Sequence, residues 1–244
     1  MILFIDSGNT RLKWRLMRGV ECIVGGAADL TAVEPFPALR RHAGVITRVC
    51  VSTVGSETSR NSLEAEIGKV TSAPITFYWS EAQRDGLRSS YLDVSKMGAD
   101  RWHAMVATWS HFRAGCAIVD AGSAVTVDYI DGGGCHIGGF ILPGLKMMRR
   151  SLKLDAARIG FEADEQLNTR PGNTTGECAN HGLAWLTQGI VHQVHRDVEE
   201  YGIQHVVVTG GDSKRFMELG LQADYWPELV LDGLHLVAAQ GGMI

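Results

Sequence analysis

Paired cysteines are missing from this sequence. The five it has, Cys22, Cys50, Cys116, Cys135 and Cys178, are scattered, odd in number and never spaced as C-x-x-C. That pattern excludes a disulfide framework and a zinc site built from such pairs, and it suits a reducing compartment. A basic excess is missing too: 23 Lys and Arg stand against 27 Asp and Glu, a net charge of −4. A nucleic-acid partner would need a basic face, so none is expected. No apolar run approaches membrane-spanning length, and Asp6 interrupts the first apolar run too early for a signal-peptide core. No membrane is therefore expected as a partner, and the expected location is cytoplasmic. The phosphate loop G-x-x-x-x-G-K-[ST] is absent, which excludes an ordinary P-loop kinase. The nine histidines form no H-x-x-x-H or H-E-x-x-H cluster; His192 and His195, three apart, lack a third ligand and fit a surface or interface better than a metal site.

What is present is an ordinary globular composition, 45% hydrophobic and 20% charged, over 244 residues. That length makes one large domain or two of about 120 residues each. Met1–Ile5 is a short apolar run ending at Asp6-Ser-Gly, the pattern of a buried strand entering a tight turn. Leu12–Met17 alternates as a returning hairpin strand would, and Val45–Ser52 and Thr76–Trp79 are further candidate strands. Over Gly98–Phe112 the apolar residues recur at helical spacing.

The opening pattern then returns. Ala117–Val119 leads into Asp120-Ala-Gly, Val125–Ile130 reads as the next strand, Asp131–Gly134 as a hairpin turn and His136–Leu142 as the strand back. A long amphipathic helix is expected over Thr175–Tyr201 and a buried strand over His205–Val208, running into Thr209-Gly-Gly-Asp212. A short helix, a strand near Leu229–Leu231 and a final helix from Gly233 close the chain. The repeat predicts a duplicated mixed α/β domain, with residues 1–114 and 115–244 as the two copies.

Each Asp-x-Gly turn joins a carboxylate to exposed backbone N–H groups, the former able to hold Mg²⁺ and the latter phosphate oxygens. One such turn is usually only a hairpin. Two of them, followed by a strand ending in Thr-Gly-Gly where backbone can approach a flat nucleoside, suit a Mg-nucleotide clamped between two lobes.

The order DxG…DxG…TGG resembles the acetate and sugar kinase, Hsp70 and actin superfamily. The finer resemblance is to type III pantothenate kinases, carried by DSGNTRLK at 6–13, GADR at 98–101, DAGSAVTVD at 120–128, GGFILPG at 138–144, TGGD at 209–212 and LVLDGL at 229–234. It implies two tandem RNase H-like domains with a nucleotide cleft between them, and transfer of the ATP γ-phosphate to pantothenate, the first step of coenzyme A synthesis. Asp6, Ser7, Gly8, Asn9, Thr10, Arg11, Leu12 and Lys13 become the phosphate motif, with Asp6 also toward Mg²⁺ and Ser123 toward ATP. By the same resemblance Asp100 is the general base, and Tyr91, Gly98, Ala99, Arg101 and Thr175 hold substrate, Arg101 taking its carboxylate. Asp120 binds an activating monovalent cation, K⁺ or NH₄⁺, and a homodimer completes the pocket.

Read without the family, Asp100 and Thr175 fit helix caps, Arg101 a solvated charge and Tyr91 partial core. The sequence departs from the family at Ser123, where threonine is commoner, and at Leu154–Gly160, where many relatives carry a TAxLP-like stretch. Rival readings are a kinase for another small hydroxylated substrate, and a non-catalytic regulatory relative; the retained Asp6, Asp100 and Asp120 disfavour the second.

Overall fold

The sheet that opens the chain is assembled around its first strand. In the computed structural model, which describes residues 1–155, 160–164 and 166–240, β1 (Ile2–Ser7) turns back into β2 (Arg11–Arg18) and β3 (Glu21–Asp29) as an antiparallel meander. A 3-10 helix (Pro37–Val45) then leads to β4 (Arg48–Thr53), which lies parallel to β1 on its other side. Helix α1 (Glu57–Gly68) crosses over to β5 (Ile75–Tyr78), parallel to β4. A two-residue hairpin pair, β6 (Gln83–Arg84) and β7 (Leu87–Arg88), precedes helix α2 (Ala99–Phe112). The sheet order is β3-β2-β1-β4-β5.

The second sheet repeats this plan. Strands β8 (Cys116–Ala121), β9 (Ala124–Ile130) and β10 (His136–Pro143) form the meander. Helices α3 (Leu145–Asp155) and α4 (Thr175–Glu200) follow, then β11 (His205–Thr209) parallel to β8, helix α5 (Ser213–Glu218) and β12 (Asp224–Tyr225). The order β10-β9-β8-β11-β12 matches the first sheet strand for strand. Asp6 and Asp120 occupy the same place, the penultimate residue of the first strand of each sheet.

The chain divides into two compact units, Met1–His111 with Glu228–Ile244, and Phe112–Pro227. The linear division at 114/115 places the last helix with the second half, yet α6 (Leu229–Gln240) packs on the first sheet. Period-two alternation explains how that sheet is covered on both sides. Leu3, Ile5, Leu12, Trp14, Leu16, Val49 and Val51 face the 3-10 helix and α1 through Leu39, Leu63 and Ile67. Phe4, Met17 and Cys50 face the other way, onto Leu231, Leu234 and Ala238 of α6. The Arg15 guanidinium fastens α6 through Asp232 Oδ1 at 2.5 Å and the Leu231 carbonyl at 2.9 Å.

The strand expected near Leu229–Leu231 is not formed; those residues are the first turn of α6. Leu229, Val230, Leu231, Leu234, Val237 and Ala238 are all buried. A helix buried around most of its girth reads as a continuous apolar run, which periodicity cannot separate from a buried strand. Gly233, which looked like a break before a final helix, lies inside it. A Cβ at Gly233 would collide with the His103 carbonyl oxygen of α2.

Helix preference alone favours alanine over glycine by about 1 kcal/mol. Overpacking against backbone costs about 1–3 kcal/mol or more. Because the clash is with main chain, the upper end of that cost applies. Gly233→Ala is therefore expected to lower stability by about 2 kcal/mol or more net, read as a lower urea midpoint at unchanged m-value; a midpoint at or above that of the wild type would show that α2 and α6 separate freely.

Candidate active site

In each unit the first strand ends in the same local construction. Gly8 N–H donates to the Arg11 carbonyl at 3.0 Å, and Gly122 N–H to the Ala124 carbonyl at 3.0 Å, closing the turn two residues after Asp6 and Asp120 respectively. Register places Asp6 beside Lys13 of β2 and Ser52 of β4, so these three side chains share one face of the first sheet. Lys13 Nζ lies 4.0 Å from Glu228 Oε1. Ser7 is buried, while Asn9, Thr10 and Arg11 are exposed at the turn, Arg11 alongside Asp29 at 3.7 Å. Leu12 is in the core on the opposite face, which leaves only its main chain toward a phosphate.

Asp120 is paired in register with Thr126 of β9 and Thr209 of β11. Just past Thr209 the chain turns at Gly210 with φ +94°, and Asp212 N–H donates to the Ala121 carbonyl at 2.9 Å. A Cβ at Gly210 would sit 2.5 Å from both Asp120 Oδ1 and the Ala121 carbonyl oxygen. Only glycine allows this approach, which brings a carboxylate and a carbonyl oxygen together as hard donors suited to a cation such as K⁺. The half-buried Ser123 follows, its carbonyl accepting from Gly144 N–H at 3.2 Å. The GGFILPG block thus ends packed on the DAGS turn, and a Cβ at Gly144 would strike the Gly122 and Ser123 carbonyls.

The GADR segment forms the start of α2. Asp100 lies in the first turn, not at the cap, and its Oδ1 accepts from the Arg101 N–H at 2.7 Å. Its carboxylate folds back over Gly98, where a Cβ would lie 2.6 Å from Oδ1. Ala99 is buried. Arg101 is no solvated charge: it is 5% exposed, donates from Nη1 to the Tyr91 hydroxyl at 2.6 Å and holds its guanidinium 5.5 Å from that ring's centroid. Tyr91 and Arg101, ten residues apart, are thus brought together beside Asp100. Thr175 begins α4 in the second unit, but the cap is its neighbour Thr174, whose hydroxyl accepts from Glu177 N–H at 3.2 Å. Of the divergent Leu154–Gly160 stretch, residues 156–159 lie outside the described residues.

Three side chains that sequence reasoning missed support this region. Ser80 donates to the carbonyls of Met97 and Gly98 at 3.0 and 3.3 Å, fixing the entry to α2. Ser52 and His103, both wholly buried, are joined through Oγ and Nδ1 at 2.8 Å. The only local signal was a polar residue at a core position of an apolar strand and of an apolar helix. Among the described residues no three His, Cys, Asp or Glu side chains cluster to hold a metal, and no helix is long and apolar enough to cross a membrane.

Comparison with known proteins decides the family. Residues 2–197 match the type III pantothenate kinase family. The chain belongs to that family. It is 54% identical over 99% of both chains to the type III pantothenate kinase of Marinobacter nauticus, and 33% identical to that of Cellvibrio japonicus over 97% of this chain and 96% of the other. Among solved structures, a Campylobacter jejuni protein provisionally described as a Baf family transcriptional activator aligns at TM-score 0.61 and 17% identity, covering 99% of this chain and all of the other. A Sinorhizobium meliloti protein provisionally described as a 2-dehydro-3-deoxygalactonokinase aligns at 0.61 and 11%, covering both chains fully. These likenesses bear on the fold alone, the repeated five-stranded mixed sheet with its helices.

Burial, with Arg84 adding in the same direction, pushes the His103 imidazole down to about 3. The unfolded chain would bind a proton there near pH 6.5 while the folded chain does not. Its contribution to stability is thus complete above about pH 6.5 and drains away as the pH falls toward 3, by up to about 1.4 kcal/mol per pH unit. His103→Asn, having no such titration, is expected to flatten the slope of unfolding free energy between pH 6 and pH 4.5, measured by urea melts; equal slopes in both proteins would show that His103 titrates normally.

Proposed function

We propose that this protein transfers the γ-phosphate of ATP to the primary hydroxyl of pantothenate, with Asp100 as the base. The observation that carries the reading is the start of α2, where a carboxylate, a buried guanidinium and a tyrosine hydroxyl meet at Asp100, Arg101 and Tyr91. Asp100 accepts the hydrogen of the attacking hydroxyl and orients its oxygen toward phosphorus. In a loose transition state that alignment matters more than strong basicity. Arg101 offers a planar fork to the pantothenate carboxylate, while Tyr91 and Thr175 hold the rest of the molecule.

The turn from Asp6 to Lys13 carries the phosphates. The amides of the exposed residues Asn9 and Thr10 donate to phosphate oxygens, Gly8 closes the turn that presents them, and Lys13 adds positive charge. Asp6 would hold Mg²⁺, which when bound would neutralise charge developing on the leaving diphosphate. Ser123 donates its hydroxyl to ATP. Asp120, with the Ala121 carbonyl oxygen beside it, is assigned to K⁺ or NH₄⁺. The enzyme is cytoplasmic and works as a homodimer. The dimer assignment is supported by exposed apolar side chains of the second unit, Phe140 and Ile141 on the edge strand β10 and Trp185 and Leu186 on α4.

The deciding experiment is a coupled ADP-release assay with pantothenate, glucose or acetate as acceptor. Pantothenate should be strongly preferred; faster turnover of either other acceptor would overturn pantothenate as the substrate. Asp100→Asn keeps the size and the N–H contact but removes the base, and kcat should fall about 10²-fold or more with little change in ATP binding. Near-wild-type turnover would remove Asp100 from its role.

The cation assignment has its own test. Activity should rise steeply from sodium to potassium or ammonium buffer, and Asp120→Ala should lose that response. Equal rates of the wild type in all three salts would end the assignment.

A further inference from the structure

Asp6 and Asp100 belong to elements far apart in the sequence, and a short polar path connects them inside the first unit. Ser52 is the register neighbour of Asp6 across the parallel pair β1–β4, its side chain on the same face of the sheet. The Ser52 hydroxyl, wholly buried, meets His103 Nδ1 at 2.8 Å. His103 lies three residues after Asp100, one turn along α2 and so on neighbouring helix positions. One strand pairing, one hydrogen bond and one helical turn thus span the distance from the phosphate turn to the base.

We propose that His103 is a positioning residue for phosphoryl transfer, its bond to Ser52 setting where the first turn of α2, and Asp100 with it, stands against the strand beside Asp6. This rests on the function proposed above. The helix is held from several sides. Ser80 fixes the chain entering it, and Gly233 of α6 packs against the His103 carbonyl so closely that no side chain fits between. Within that clamp the Ser52–His103 bond supplies a directional contact between α2 and β4.

Stability alone is a poor reason for a histidine here. The site is wholly buried, and His103 Nε2 has no hydrogen-bond partner among the described residues. Leaving a buried polar atom unpaired costs about 1–3 kcal/mol, which an apolar side chain of similar volume would avoid. A hydrogen bond, in contrast, fixes separation to a few tenths of an ångström, and reacting groups displaced by 1 Å lose about 10²-fold in rate.

The test is a set of variants, Ser52→Ala, His103→Leu, the double variant, His103→Asn and His103→Gln, assayed for pantothenate-dependent ADP release and for thermal stability. Either single removal should lower kcat about tenfold, while KM for ATP and for pantothenate stays within about twofold. The double variant should be no slower than the slower single one, because both remove one bond. His103→Asn carries an amide nitrogen near the place of Nδ1 and should restore most of kcat; His103→Gln, which reaches toward Nε2 instead, should not. Unchanged kcat with a lowered Tm would overturn the proposal and leave a purely structural bond, as would additive losses or equal rescue by Asn and Gln. If His103→Leu does not fold, Ser52→Ala and the Asn/Gln pair decide alone. Wild type and Asp100→Asn are run in the same assay. An inactive wild type would defeat the function itself, whereas active wild type, inactive Asp100→Asn and fully active His103 variants would defeat only the positioning role.

Discussion

The constraint on which the molecule turns is the approach of glycine main chain to two carboxylates, Asp100 at the start of α2 and Asp120 at the end of a central strand. In each sheet the first strand is paired antiparallel on one side and parallel on the other, so its last residues emerge between a hairpin turn and a neighbouring strand end. A side chain at Gly98 or Gly210 would occupy the space that the Asp100 and Asp120 carboxylates now take. These glycines are not loose joints. They let charged oxygens lie against backbone where bulkier residues would force them into solvent, and the site's electrostatics follow from that closeness.

Much of this was visible in the sequence because it was local. The strands bearing Asp6 and Asp120 announce themselves by an apolar run broken at Asp-x-Gly, and α2 and α4 by their 3.6-residue spacing. The elements that escaped have weak local patterns. Strand β3 carries Gly25 and Gly26 and is largely exposed at a sheet edge, and α1 buries only Leu63 and Ile67 in twelve residues. The run at Leu229–Leu231 misled for the opposite reason, being apolar on too many sides to show a period.

The candidate site divides in the same way. Gly98, Asp100 and Arg101 stand in one short motif, so their proximity is sequential. That Arg101 is buried against Tyr91, or that Ser52 meets His103 across 51 residues, depends on how strands and helix come together in three dimensions. Thr174 and Thr175 are a smaller case. Two adjacent threonines are equally good caps by type, and only the backbone at the start of α4 decides that the first of them does it.

The placement of α6 bears on how the molecule comes into being. Its residues are made after those of the second unit, yet they cover Phe4, Met17 and Cys50 of the sheet made first. On the ribosome that apolar face waits uncovered while more than a hundred residues of the second unit, Phe112–Pro227, are synthesised. The second unit has all of its strands in one unbroken stretch and is able to close while the first is still incomplete, reversing the usual N-to-C order of domain folding. Joining β1 to α6 is among the longest loop closures in the chain, so the unit that begins the protein is the one whose folding waits for its last helix.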